Sequence, residues 1–140
     1  MAGSCRARGM GLANPSVMTT DWVLLIEDNE DFREMLKDSL ELSSFEVVAI
    51  ADGAEALALF DAGKQPSVVL SDMVLPGILG PSILEYMACH NALRDVVVGI
   101  ITGSPDLAPA GYPVFTKPVN LRDITDFVAS SMPSARAHAR

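Results

Sequence analysis

Residues 22–40, WVLLIEDNEDFREMLKDSL, pass from an apolar run through an acidic turn into an amphipathic stretch. Residues 22–26 carry no charge and have the length of a strand. Beyond them Phe32, Met35, Leu36 and Leu40 recur at helical spacing. Asp28, Asn29 and Asp31 stand where a helix cap is expected. Strand, acidic turn and helix form the opening half of a β-α-β unit.

The rest of the chain repeats that alternation. Further strands are expected at residues 46–50, 67–71, 96–101 and 114–116, all short and rich in β-branched residues. A second helix follows the turn Asp52-Gly53 and directs Ala56, Leu57 and Phe60 inward. A third uses Ile83, Leu84, Met87 and Ala88, and the last uses Leu121, Ile124, Phe127 and Val128. Strands joined by helices imply an α/β fold, a doubly wound parallel sheet with helices on both faces. Right-handed crossovers then gather the carboxyl ends of the strands at one edge, where open α/β sheets bind ligands.

A length of 140 residues suits one such domain, and a hydrophobic content of 49% supplies enough apolar side chains for a sheet buried on both faces. The domain is expected at residues 21–132, between tails at 1–20 and 133–140 expected to be disordered. Residues 1–20 lack the continuous apolar core of a secretory signal. Met18 precedes the first strand closely enough to be the translation start. The apolar runs are far shorter than the roughly 20 residues of a membrane span, so no membrane partner is expected. Cys5 and Cys89 suggest neither a disulfide framework nor a zinc site and fit a reducing cytoplasm.

The charge is uneven. Arg6, Arg8, Arg136 and Arg140 lie in the tails, whereas all 18 acids lie between positions 21 and 126. The expected domain holds six bases against 18 acids, a net charge of −12. That field repels nucleic acid and anionic lipid and favours a divalent cation at any cluster of carboxylates.

The expected sheet edge carries a particular set of side chains. Glu27 and Asp28 follow the first strand, Asp72 the third, Thr102 the fourth and Lys117 the fifth. Each alone reads as a cap or a loop residue, and their joint placement at one edge gives them a shared purpose. Crowded carboxylates raise one another's pKa unless a cation compensates. Magnesium takes oxygen ligands and keeps several waters, so one or two direct carboxylates suffice. Asp72, kept ionised, is then a carboxylate nucleophile for phosphorus. The metal on one side and Lys117 on the other meet the charge of the transferring phosphoryl group, and Thr102 has a hydroxyl to offer a third oxygen.

These segments resemble a response-regulator receiver domain, the CheY-like module of two-component signalling. The resemblance runs over about residues 22–132 and rests on VLLIEDNEDFREML, ADGAEAL, the loop DMVLPGILG with Asp72, Pro76 and Gly80, the strand end IITG, and the pair Lys117-Pro118. It implies a flavodoxin-like five-stranded sheet of order 2-1-3-4-5. It also implies Asp72 as phosphoacceptor, Asp28, Asp72 and the Val74 carbonyl as direct magnesium ligands, and Glu27 acting through water. Lys117 would contact the phosphoryl group, Thr102 would move toward it, and Pro118 would follow a cis peptide bond.

Two features depart from the family. Receivers usually carry Phe or Tyr three residues before the lysine, and here that position is Val114. Strand alternation sends Phe115 to the opposite face, and Tyr112 precedes the strand. The helix that usually joins the fourth and fifth strands is expected to be short or missing, because residues 103–113, GSPDLAPAGYP, hold three prolines and two glycines. One turn near residues 106–108 is expected instead, in a mobile segment. Val74 also cannot orient water, which implies slow hydrolysis of the aspartyl phosphate.

Rival chemistry on this fold fits less well. A dehalogenase-type phosphatase needs a second Asp where Val74 stands, and no P-loop or GxGxxG is present. His90 reads as a capping or exposed residue and not as a phosphohistidine. The sequence therefore points to a stand-alone cytoplasmic receiver, a phosphoacceptor and not an enzyme. A sensor histidine kinase or histidine phosphotransfer protein would be its donor and a downstream protein its effector. The alternative is a phosphorylation-independent docking adaptor on the same fold.

Overall fold

In a computed structural model, residues 21–78 and 80–133 are described. The tails expected at 1–20 and 133–140 lie outside them apart from Pro133, as do Met18 and Cys5. Five parallel strands, β1 (Trp22–Ile26), β2 (Glu46–Ile50), β3 (Val68–Ser71), β4 (Val97–Thr102) and β5 (Val114–Thr116), form one sheet in the order β2-β1-β3-β4-β5. The register sets Ile26 beside both Ile50 and Ser71, so the ends of β1, β2 and β3 are level. Among the described residues four helices cover it: α1 (Glu30–Leu42), α2 (Gly53–Asp61), α3 (Gly80–Ala88) and α4 (Leu121–Ser131).

Local chemistry explains where the helices begin. Asn29 Oδ1 accepts the Phe32 N–H at 2.8 Å, Asp52 Oδ1 accepts the Glu55 N–H at 2.9 Å, and Asn120 Oδ1 accepts those of Arg122 and Asp123. Each satisfies N–H groups that a helix start leaves unpaired. Alternation along β1 then divides the core. Val23 and Leu25 pack with Leu36 and Leu40 of α1 and Ile124 and Val128 of α4, while Leu24 and Ile26 pack with Phe60 of α2 and Ile83 and Met87 of α3.

Some expectations need correction. Ser67 and Val96 lie just outside β3 and β4, although the Ser67 backbone still joins the ladder through Trp22 and Val97, and Thr102 is the last residue of β4 and not the one after it. Met35 is 45% exposed, because the buried stripe of α1 runs through Leu36 and Leu40 and each residue advances about 100° around the axis. Ala88, at the end of α3, is exposed for the same reason, and Leu57 is only partly buried.

No helix joins β4 to β5. A single 3₁₀ turn, Pro105–Leu107, stands in its place, as the prolines imply. Ala108 and Tyr112 pack against the α2–α3 side of the core instead. Among the described residues no helix is long and apolar enough to cross a membrane.

Candidate active site

The site is built where β1 and β3 end side by side. Glu27 N–H donates to the Ile50 carbonyl at 3.0 Å and Asp72 N–H to that of Ile26 at 3.1 Å, so the ladder runs one step past the strands and fixes both backbones. Glu27 and Asp72 are buried, Asp28 is exposed, and oxygens of the three carboxylates lie within 4.8 Å of one another.

Lys117, one residue beyond β5, reaches back across the sheet edge. Its Nζ stands 3.0 Å from Glu27 Oε1 and 3.0 Å from Asp72 Oδ2. Asp72 Oδ1 accepts the Met73 N–H at 2.6 Å and that of Val74 at 3.2 Å, so one oxygen is held by main chain and the other by a flexible side chain. Glu27 Oε2 accepts the Asn29 N–H at 3.0 Å, and the Glu27 carbonyl accepts from Arg33 at 2.9 Å.

The electrostatics follow. Burial pushes the Glu27 carboxyl above its usual range; the Asn29 N–H and Lys117 pull it back, and the charge of Asp72 adds to the rise. Burial alone would lower the Lys117 ammonium, but its bonds to Asp72 and Glu27 outweigh that and hold it above its ordinary value. Three carboxylates share one directly paired ammonium, which leaves a deficit the size of a divalent cation. The donors are all oxygen and one is open to solvent, the character that hard ions require. The cluster is thus capable of holding a metal ion.

Thr102 lies between these groups at the end of β4, which pairs with β3 on one side and β5 on the other. It is buried; its carbonyl accepts the Lys117 N–H at 2.9 Å and its Oγ accepts that of Ser104 at 2.9 Å. The Lys117-Pro118 bond is cis. Val74 has a half-exposed side chain. At the altered position Val114 is partly exposed, whereas the Phe115 ring packs edge-on against Phe127, 5.2 Å away, on the α1–α4 side. His90 stacks on Tyr86, with Nδ1 2.6 Å from the Tyr86 carbonyl, far from any role in the cluster's bonding.

Four residues make contributions that escape a reading of sequence. Phe32, expected only to face the core, also lies under Lys117, its ring centroid 4.8 Å from Nζ. Arg33 and Met73 act through main-chain contacts that no motif announces. Asn29 was one of three candidate caps, yet its N–H on Glu27 had no sequence signal.

Comparison with known proteins agrees with this geometry. The sequence profile described as "Response regulator receiver domain" matches residues 23–129. Sensory transduction protein RegX3 of Mycobacterium tuberculosis is 31% identical over 114 residues, which cover 73% of this chain and 46% of RegX3. The polar-differentiation response regulator DivK of Brucella anthropi is 30% identical over 80 residues, covering 57% of this chain and 64% of DivK. The chain thus spans less than half the length of the first of these relatives. Among solved structures, the Francisella response regulator 1452 receiver domain superposes with a TM-score of 0.71 at 21% identity, over 81% of this chain and 98% of that one, which speaks for the fold.

Proposed function

The chain belongs to the response regulator receiver domain family, and from that premise we propose that Asp72 is its phosphoacceptor, within a receiver unit spanning residues 21–132. The module serves phosphorylation-dependent signalling and is not a turnover enzyme. Glu27, Asp28, Asp72 and the Val74 carbonyl are the groups that would hold magnesium, Asp28, Asp72 and the carbonyl directly and Glu27 through water, and the ion would neutralise charge on the transferring phosphoryl oxygens.

The chain's own residues do the rest. Main-chain N–H groups of Met73 and Val74 fix Asp72 Oδ1 and orient the carboxylate. Oδ2, held among the described residues by the Lys117 side chain alone, is the oxygen that attacks. Its attack forms a P–O bond as the P–N bond of a phosphohistidine breaks; the imidazole leaves with the electron pair and takes a proton from water. Lys117 passes from the Asp72 carboxylate to the new phosphoryl oxygens, which stabilises the charge that has moved onto them. Thr102 then donates its hydroxyl proton to a phosphoryl oxygen while its lone pair keeps the Ser104 N–H.

The observation that carries this reading is the placement of one ammonium 3.0 Å from two carboxylates at the strand ends. The donor is a sensor histidine kinase or a histidine phosphotransfer protein of the cytoplasm, and the output is binding of a downstream protein. The net charge of −12 over residues 21–132 disfavours nucleic acid. Intact-mass spectrometry after incubation with magnesium and acetyl phosphate tests the reading. A single phosphoryl adduct that needs both magnesium and Asp72, and is lost in Asp72→Ala, is expected. No adduct, with no magnesium binding by calorimetry, would instead make the protein a constitutive docking adaptor.

A further inference from the structure

The first turn of α1 wraps the site more closely than a covering helix needs to. Asn29 donates its N–H to Glu27 Oε2, Arg33 donates to the Glu27 carbonyl, and between them Phe32 sets its ring 4.8 Å from Lys117 Nζ. We propose that Phe32 is a positioning residue for phosphoryl transfer: its ring face holds the Lys117 ammonium beside Asp72 and keeps it within reach of the incoming phosphoryl group. The role rests on Asp72 being the phosphoacceptor.

Lysine needs such a guide here. Its ammonium sits on a four-carbon stem, is strongly hydrated and has three rotating donors. Two of the three are taken by Glu27 Oε1 and Asp72 Oδ2, and the Lys117 side chain is still 27% exposed. When Asp72 becomes an acyl phosphate, the ammonium must change partners, and water competes for it at that moment. An aromatic face attracts a cation through its quadrupole without offering a hydrogen bond that must first be broken. It therefore restrains the ammonium while leaving it free to turn.

The ring is itself well anchored. Its backbone N–H is tied to the Asn29 cap at 2.8 Å, and the side chain packs against the α1–α4 core. Core packing alone would account for an apolar residue at this position, and leucine would serve that purpose. Only an aromatic ring supplies the face toward Lys117.

That difference sets the experiment. Phe32→Leu and Phe32→Trp are compared with wild type in three measurements: the rate of phosphoryl uptake from acetyl phosphate at saturating magnesium, magnesium affinity by calorimetry, and the NMR shift of the Lys117 ε-methylene protons in the unphosphorylated protein. The ring should shift those protons upfield. Phe32→Leu is expected to abolish the upfield shift, leave magnesium affinity unchanged and slow uptake about fivefold, a cation–π contact of about 1 kcal/mol converted to rate. Phe32→Trp should restore both shift and rate. Uptake by Phe32→Leu at the wild-type rate overturns the proposal, as does Phe32→Trp being as slow as Phe32→Leu, or slowing that tracks a loss of magnesium affinity or of melting temperature. Those results leave Asp72 as phosphoacceptor intact, whereas wild type that takes up no phosphoryl group overturns that reading and this proposal together.

Discussion

Gly80, the first residue of α3, lies so close to Asp72 that a β-carbon on it would stand 2.6 Å from the Asp72 carbonyl oxygen. The same carbon would come within 2.7 Å of the Met73 Cα, so the obstacle is backbone and cannot rotate away. Gly80 N–H also donates to the Met73 carbonyl. The loop that carries Asp72 is thereby pressed against the start of α3. Gly80→Ala should cost about 1–3 kcal/mol of stability by urea denaturation and slow phosphoryl uptake, since relief requires the Asp72 backbone to move. Wild-type stability and rate in this variant would show that the loop has more room than the geometry allows.

Glu27 gives a prediction with a sign. Its carboxyl is raised in the folded protein, by burial first and the Asp72 charge last, so folding favours the protonated form. The stability it contributes is full below the unfolded carboxyl pKa and is lost as pH rises through the raised folded value. In chelator-treated protein Glu27→Gln should therefore be more stable than wild type at pH 7, with the advantage shrinking in acid, while its magnesium affinity falls. Thermal melts across pH check this. A variant less stable at pH 7 would mean that the Lys117 pairing outweighs burial.

Asp28 is the exposed member of the cluster, and the ion pairs of Lys117 run to Glu27 and Asp72 instead. Asp28→Asn should weaken magnesium binding about tenfold or more, a loss of ~1.4 kcal/mol or greater, with little change in the melting temperature of the metal-free protein. Unchanged affinity by calorimetry would remove Asp28 from the ligand set.

The segment 103–113 has only a 3₁₀ turn and a few main-chain bonds, among them Leu107 N–H to Ser104 and Ala108 N–H to Pro105. Its amides should exchange far faster than those of β4. Protection comparable with the strand throughout the segment would contradict this. Thr102 joins it to the site through Ser104, so exchange at residues 104–108 should change on phosphorylation if that bond carries the signal.

Val74 follows Asp72 by two residues, donates its N–H to Asp72 Oδ1 and has a half-exposed side chain. Lacking a hydrogen-bonding group, it leaves attacking water unguided. The phosphoryl group should be long-lived, and Val74→Asn should shorten its lifetime in a time course followed by intact mass. Equal lifetimes in the two proteins would count against the idea.

Much of this was legible because the chain's signals agree with one another. β1, β2 and β5 end where their β-branched runs end, and the strand ends place Glu27, Asp28, Asp72 and Lys117 together by topology alone. The breakdown of the helix before β5 followed from proline. Met35 and Ala88 were misplaced because apolar spacing marks a face without fixing its centre, and neighbouring packing decides how wide the buried stripe is. Phe32 was hidden for a related reason. A residue at the edge of the apolar stripe serves the core with one side and the site with the other, and spacing reveals only the first.

The most direct test of Asp72 as acceptor is chemical trapping. An acyl phosphate, unlike a phosphate ester on Thr102 or a phosphoramidate on His90, is reduced by borohydride to an alcohol, which turns the aspartate into homoserine. Protein incubated with magnesium and acetyl phosphate, reduced and mapped by peptide sequencing should carry homoserine at position 72 alone. Homoserine at another aspartate, a reduced glutamate, or phosphoryl label that survives without any reduced residue, would contradict the assignment.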